Sequence, residues 1–436
     1  MVRLWQMRPA KLATAFITGV AALLGQSVCP EALASQTQLG GHVKLSHSVT
    51  GYPQDSADAS PQLYDTTSVN LSTIDLRGKL HKKQGAWDLQ MDYQFSGLHS
   101  HQTDYFESNL GPLLNSGGIG EDDARVFDLN HQQREADHVL VHRLDRLNVG
   151  YTAEAAVVRL GRQAVSWGNG LVFNPMDIFN PFDPAAVDKE YKTGDDMVYA
   201  QWLLESGNDW QLVMVPRREA STGKLSESVS SLALKYHALT DKYEYDLLLA
   251  QHYDDTVLGI GLVSHLGDAI TRGDITWVQT DTDWVASAVA SVSYSWVLAG
   301  RNWSGSAELY YNGYGLDKST ISTIDLIVDT QLTDRIVRGE LYSLGRYYAA
   351  LVANVEMSPR MILTPSLFMN VRDQSGLVQL SANYDWLQNA DLVVSVNLPF
   401  GADGTENGGI ALTDTNTEPT YLASDYHLLA QLSIYF

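Results

Sequence analysis

One cysteine in 436 residues, 29 basic residues against 51 acidic ones and no long apolar stretch beyond the first two dozen positions set the outer limits for this chain. The lone thiol, Cys29, excludes an internal disulfide and a cysteine-built metal site. A formal net charge of −22 with no basic stripe argues against nucleic acid as a partner. After the amino-terminal stretch, no run approaches the 18 apolar residues that a membrane-crossing helix needs, so any crossing must be made by strands. The Gly-x-Ser-x-Gly elbow, the His-Glu-x-x-His metal motif and a glycine-rich phosphate loop are missing, and the chain reads as a non-enzyme without a cofactor. No internal repeat of fixed period is visible, which argues against a propeller.

What is present begins with a leader pattern. Arg3, Arg8 and Lys11 precede the apolar run from Leu12 to Leu24, and Ala32-Leu33-Ala34 before Ser35 has the small-residue form of a cleavage site. Residues 1–34 are therefore expected to be a secretory signal peptide and 35–436 a single domain. Cleavage removes Cys29, three of the 29 basic residues and one of the 51 acidic ones, for a mature charge of about −24.

Apolar residues then fall on alternate positions from one end to the other, as in Trp87, Leu89, Met91, Tyr93 and Phe95 with Asp88, Gln90, Asp92, Gln94 and Ser96 between them. Side chains of a strand alternate between two faces, so each such segment has one apolar and one polar face. About eighteen segments are recognisable, near 38–48, 67–81, 85–97, 139–151, 155–166, 196–206, 209–217, 228–239, 243–254, 257–267, 270–280, 284–298, 302–314, 345–358, 360–372, 376–387, 390–399 and 425–436. Tight links alternate with variable ones, and the variable set holds every long segment: 49–66, 98–138, 167–195, 218–227, 315–344 and 400–424. This is the pattern of an all-β, antiparallel, up-and-down transmembrane barrel with apolar side chains outward and both termini on the periplasmic side, which requires an even strand count. Eighteen satisfies it. Sixteen is the alternative, because the links at 254–257 and 280–284 are short and because 324–329 and 336–341 read as strand extensions beyond the membrane. Trp87, Trp210, Trp284, Trp296, Trp303 and Trp386 suit interfacial girdles.

The segment Tyr426–Phe436 ends on an aromatic with Tyr426, Leu428, Ala430, Leu432, Ile434 and Phe436 on one face. It resembles the terminal strand of bacterial outer-membrane barrels. The resemblance implies that Tyr426 and Phe436 belong to the signal read by the outer-membrane assembly machinery, and that lipid and lipopolysaccharide are the surrounding partners.

The stretch from Arg159 to Pro184 is the most distinctive. Asn174-Pro175 and Asp183-Pro184 look like helix caps followed by proline, so one or two helical turns are expected, buried through Phe173, Phe179 and Phe182. Such turns belong inside the barrel or across its mouth, because hydrocarbon cannot satisfy their backbone. Gly161-Arg-Gln163 followed by Trp167-Gly168 and the Asn-Pro-x-Asp-x-Phe-Asn-Pro run resembles a motif of proteobacterial outer-membrane barrels that include alginate-export-type channels. The likeness implies an 18-stranded channel with an inward-folded loop, 167–195. The constriction is then expected to involve Arg159, Arg162, Gln163, Trp167, Asn169, Phe173, Asp177, Phe179 and Phe182. Arg159 and Arg162 differ by three positions, so one of them faces lipid unless Gly161 marks a bulge.

A barrel of this width is not filled by its wall side chains, so its interior holds water or a plug. Asp88, Asp92, Lys235, Glu244, Asp246, Glu356 and Asp385 fall on the inward parity; acidic groups predominate among them, which points to a weak cation preference or to neutral solutes. The 98–138 loop carries His99, His101, His131 and His138 with Asp104, Glu107, Glu121, Asp122 and Asp123, without compact metal-ligand spacing. The function expected is passive diffusion of small hydrophilic solutes. The alternative is a barrel scaffold or export partner that holds another envelope component.

Overall fold

The computed structural model describes residues 35–57, 66–100, 124–135, 137–412 and 420–436. Residues 1–34, expected to be a signal peptide, lie outside the described residues, as do His101, Asp104, Glu107, Glu121, Asp122 and Asp123 of the 98–138 loop.

The strands, in chain order, are β1 (Ser35–Gly51), β2 (Ser68–Gln84), β3 (Trp87–Ser100), β4 (Asn130–Arg134), β5 (His138–Thr152), β6 (Ala156–Gln163), β7 (Asp195–Leu203), β8 (Asp209–Arg218), β9 (Leu225–Leu239), β10 (Tyr243–His252), β11 (Asp255–Leu266), β12 (Ala269–Gln279), β13 (Trp284–Leu298), β14 (Arg301–Tyr311), β15 (Tyr347–Ser358), β16 (Met361–Asn370), β17 (Ser375–Leu387), β18 (Ala390–Phe400), β19 (Ile410–Leu412), β20 (Thr420–Leu422) and β21 (Tyr426–Tyr435). All but β4, β19 and β20 form the wall. Each pairs antiparallel with its neighbours, β18 pairs with β21, and β21 returns to β1, so the sheet closes into an 18-stranded barrel. The sixteen-strand alternative fails because 253–254 and 280–283 are real connections between full strands.

Alternation sets the register. Across β10 and β11, Leu247 opposes Ile260 and Leu249 opposes Leu258 on the outer face, while Asp246 opposes Gly261 and Leu248 opposes Gly259 on the inner one. A shift of one residue would turn every apolar side chain to the wrong face, so this pattern specifies the pairing strongly. The tight turns need little chain: at 299–300, Ala299 and Gly300 both have positive φ, 53° and 72°, the backbone of a type I′ hairpin. Trp87, Trp210, Trp296, Trp303 and Trp386 stand on outward positions close to tight turns, and Trp284 stands at the other end.

The seam between β21 and β1 is sealed by aromatic rings over glycines. A side-chain carbon at Gly41 would come 2.7 Å from Phe436 Cζ, and one at Gly51 would come 2.3 Å from the Tyr426 ring. Phe436 also exchanges both backbone hydrogen bonds with Gly41, at 2.9 and 3.1 Å. The rings cover sheet that the glycines leave bare.

Two segments differ from the sequence expectation. Residues 324–329 and 336–341 do not extend strands; 324–328 lie in α1 (Thr323–Val328), 336 and 337 end α2 (Thr330–Val337), and 338–341 follow α2 outside helix and strand. Ser322 caps α1 in a capping box with Asp325, and Asp329 caps α2 by accepting from the Leu332 amide. Leu326, Leu332 and Ile336 then bury together with Leu316 and Ile321, a cluster that a strand's alternation would have split between two faces. At Asn174-Pro175 and Asp183-Pro184 the chain makes single turns, closed by Asp177 N to Asn174 O and Ala186 N to Asp183 O, both 3.1 Å, rather than helix. Asn180, held at φ 52° before Pro181, stops further helical winding.

Candidate functional site

Between β6 and β7 the chain leaves the wall for residues 164–194 and turns into the barrel. Its first lobe lies along β8 to β15. Trp167 Nε1 donates to Gln211 on β8 at 2.8 Å. Asp274 on β12 accepts from the Asn169 amide (2.6 Å), the Asn169 side chain (2.8 Å) and the Gly170 amide (3.3 Å). Glu308 on β14 accepts from three successive amides, those of Leu171, Val172 and Phe173, at 2.8, 3.1 and 2.6 Å. These carboxylates thus act as surrogate strand partners for backbone that has left the sheet. The Phe173 ring stacks on Tyr310 of β14 at 4.7 Å and 10°. Trp167, Met176 and Phe179 bury against Val213, Val215, Ala233, Leu248 and Ala250 of β8, β9 and β10.

Residues 180–185 then cross from the β10 side to β17. Phe179 packs edge-on against His252 at the end of β10, and the Ala185 carbonyl accepts from Gln379 on β17 at 2.8 Å. The second lobe follows the opposite wall. Asp188 accepts from Lys44 on β1 (2.5 Å) and Gln431 on β21 (2.9 Å), and Glu190 meets Lys44 (2.8 Å) and the Tyr435 hydroxyl (3.1 Å). Tyr191 lies under the Arg77 guanidinium, 4.0 Å from its ring centre, and bonds Lys79 through its hydroxyl. Lys192 closes the neck by donating to the Val165 carbonyl at 2.6 Å and to Asp177 at 2.5 Å.

The loop's titratable groups respond to this enclosure. Burial pushes the Asp177 carboxyl up to about 6 despite the adjacent Lys192, and burial lowers the Lys192 ammonium in turn. Asp188 goes the other way: although burial opposes its ionisation, the Lys44 ammonium holds it below the usual carboxylate range.

A bulge organises the wall beside the second lobe. Asp92 pairs with Arg146 while Tyr93 pairs with Leu144, leaving Asp145 as the extra residue. Asp145 and Arg146, consecutive in sequence, are therefore both buried, and Asp145 takes Arg77 at 2.6 Å and Arg146 at 2.8 Å. Lys44, Arg77, Lys79, Arg143 and Arg146 form a basic column that strict alternation does not reveal on β5. Its members on β1 and β2, like Asp274 and Glu308, occupy polar positions of segments whose alternation is plain.

The residues singled out from sequence divide as follows. Trp167, Asn169, Phe173, Asp177 and Phe179 all lie in the first lobe, and Phe182 lines the seam between this loop and Tyr342 of the 312–346 segment. Gln163 is buried at the end of β6, opposite Asp195. The register of β6 runs unbroken through Gly161, whose φ of 120° does not change parity, so Arg159 and Arg162 point to opposite sides. Arg159 is exposed on the side of Tyr199. Arg162 is 2% exposed: it pairs with Asp196 at 2.9 Å and donates to the Phe127 carbonyl at 2.6 Å. The covering residues lead into β4, which takes up the edge of β5 at 139–143 where β6 reaches only 147–152. Asp92, Lys235 and Asp246 are buried in the wall, with Lys235 3.3 Å from Asp246. Glu244, Glu356 and Asp385 are exposed near tight turns, and Asp88 is half-buried.

The 312–346 segment covers the first lobe. Glu340 accepts from His252 at 3.1 Å and from Arg335 at 3.0 Å, Arg335 also reaches Asp255 at 2.5 Å, and the Tyr342 hydroxyl donates to the Pro181 carbonyl at 3.1 Å. Residues 401–412 brace it through Glu406, which accepts from the Leu344 amide, the Tyr348 hydroxyl and Asn370.

No protein-family model matches the chain, and no curated protein sequence matches it. Solved structures do resemble it. A BenF-like porin from Pseudomonas fluorescens aligns with a TM-score of 0.51 at 11% identity, over 92% of this chain and 98% of that one. OccAB2 of Acinetobacter baumannii aligns at 0.52 and 8% identity over the same shares, and OccK11 (OpdR) of Pseudomonas aeruginosa at 0.50 and 8% over 92% and 96%. The chain has the fold of outer-membrane porins.

Proposed function

We propose that this barrel is an outer-membrane channel for passive diffusion of small hydrophilic solutes, with both termini periplasmic and residues 164–194 narrowing its bore. The observation that carries the reading is the loop's route: anchored on wall strands to either side, it crosses the lumen at 180–185. A wide barrel with a polar inner face and an internal loop fixed by hydrogen bonds is built to restrict passage, not to block it with a packed core.

Selectivity follows from which charges remain accessible. Lys44, Arg77 and Arg146 are each ion-paired at the level of the loop, whereas Glu244, Glu356 and Asp385 are exposed on inward positions nearer the tight turns. With Lys83 and Arg159 as the opposing exposed cations, a weak cation preference results. The scaffold alternative is disfavoured because the loop occupies space that a guest polypeptide would need.

The test is conductance and reversal potential of the refolded mature chain in a planar bilayer. Steady channels, a larger conductance after deletion of 170–183, and loss of cation preference on replacing Glu244, Glu356 and Asp385 by glutamine are expected. An electrically silent barrel that copurifies with a stoichiometric partner would establish the scaffold instead.

A further inference from the structure

The outer face of β13 to β17 departs from the convex apolar wall expected against lipid. Tyr294, Trp296, Gly305, Ala307, Ala353 and Pro365 line a groove of about 550 Å³ there, within the roughly 300–1,000 Å³ typical of small-ligand sites. Three sequence features make it. Gly305 has no side chain, and a carbon added to it would lie 2.8 Å from the Trp296 ring, so the indole folds flat across that position. At outward positions Ala353 on β15 faces Gly305 and Ala307 on β14 faces Leu351, leaving small residues beside Leu309 and Leu351, which are 65% and 54% exposed. Pro365 lies inside β16, and the β15–β16 ladder is unpaired at Ala353 and Asn354 while it resumes at Val352 with Ser366 and at Val355 with Leu363. A proline within a central strand removes a ladder hydrogen bond and leaves the sheet locally loosened.

Charge lies at one end of the groove. Gly305 is five residues above the 299–300 turn, which at about 3.3 Å per residue and a tilt near 45° places the groove roughly 10 Å from the turn. At that turn Arg301 reaches the sulfur of Met357 in the next hairpin, whose own turn carries the exposed Arg360. The nearby carboxylates, Glu356 and Asp385, fall on inward positions, Glu356 held by Asn302 at 2.6 Å. A lipid-facing apolar trough that ends on two arginines at the membrane boundary has the layout of an acyl chain joined to a phosphate.

We propose that this groove is a binding site for one anionic glycerophospholipid of the periplasmic leaflet, its acyl chain lying over Gly305, Ala307 and Ala353 and its phosphate held by Arg301 and Arg360. The site rests on the orientation given above but not on conduction: a barrel that never conducts still binds the lipid, and a reversed barrel would present the groove to lipid A.

Native mass spectrometry of the delipidated mature barrel, titrated separately with phosphatidylglycerol, phosphatidylcholine and lipid A, tests it. One phosphatidylglycerol is expected to stay bound at activation energies that strip phosphatidylcholine. Ala353→Phe, which fills the trough, is expected to weaken phosphatidylglycerol about tenfold, as is the double change Arg301→Gln with Arg360→Gln, which leaves the trough intact. Val394→Phe on the outer face of β18 is the control that leaves binding unchanged. Phosphatidylglycerol retained equally by wild type and both variants, tighter binding of lipid A, or occlusion of the groove by a second copy of the chain would each overturn the assignment.

Discussion

The Phe173 amide nitrogen stands 2.6 Å from Glu308 Oε1, and the amides of Leu171 and Val172 share the same carboxylate. A single wall side chain thus satisfies three backbone donors that no strand reaches. Hydrogen bonds to a charged group contribute about 1.5–3 kcal/mol each, so Glu308→Ala is expected to free residues 171–173 while the barrel stays closed. Single-channel recording should show larger and noisier currents, with the heat-modifiable band in gel electrophoresis unchanged. Unaltered current would place this stretch outside the permeation path.

The buried Asp177 gives the loop a pH dependence of definite sign. Its carboxyl rises from 3.8 to about 6 in the folded chain, so between those values the folded state holds a proton that the unfolded state has lost. Stability from this group therefore grows as the pH falls from 6 toward 3.8 and declines as pH rises through 6. The span corresponds to about 3 kcal/mol. Asp177→Asn should flatten that part of the profile, as read by thermal unfolding in detergent across the same interval; an unchanged slope would rule out Asp177 as its source.

Glu340 has the opposite behaviour. Burial opposes its charge, yet His252, Arg335 and Arg338 together hold its carboxyl at about 2, below the ordinary 4.5. Its contribution is complete above 4.5 and is lost as the pH falls toward 2. Glu340→Gln removes the counter-charge facing Arg338 and leaves Arg335 with Asp255 alone, and removing one partner of a buried ionic cluster costs about 3–5 kcal/mol. Hydrogen exchange in 323–337 should rise at neutral pH, with the amides of β10 and β11 still protected. Equal protection of the helices would show that Glu340 does not fasten them.

The outer face has its own test. Ile260 sits mid-strand on β11 and is 48% exposed, so Ile260→Arg should cost about 2–4 kcal/mol by placing a charge against hydrocarbon. Gly261→Arg on the neighbouring inward position meets Asn169 and Asp274 instead and is expected to disturb the loop. Urea titration in lipid vesicles distinguishes a loss of barrel stability from a change in current alone.

The wall was readable because alternation is imposed residue by residue: the same parity that puts Leu247 outward puts Asp246 inward, and tight turns such as 299–300 need only two residues of suitable backbone. The loop was readable as an oddity, since its aromatic and proline spacing suits neither strand nor solvent. Its anchors were not. Asp274 and Glu308 lie more than a hundred residues from the amides they hold, and nothing in the local pattern of β12 or β14 marks those two carboxylates as loop partners. The inward pair Asp145 and Arg146 was hidden for a different reason, because a bulge breaks the very periodicity used to assign faces. The helices at 323–337 were hidden by Ile324-Asp-Leu-Ile-Val, which satisfies a period of two as well as it satisfies one turn of helix; the capping by Ser322 and Asp329 decides the matter.

Because the attachment points of the inward segment run from β8 around to β21 and on to β1, β2 and β5, they cannot all exist until the first and last strands have met. The bonds from Gln431 and Tyr435 of β21 to Asp188 and Glu190 therefore join those from Lys44 of β1 only as Phe436 docks beside Gly41, whereas the anchors on β8, β12 and β14 do not depend on that seam. Closing the cylinder thus also fastens the second lobe of the inward segment across the join between the first and last strands.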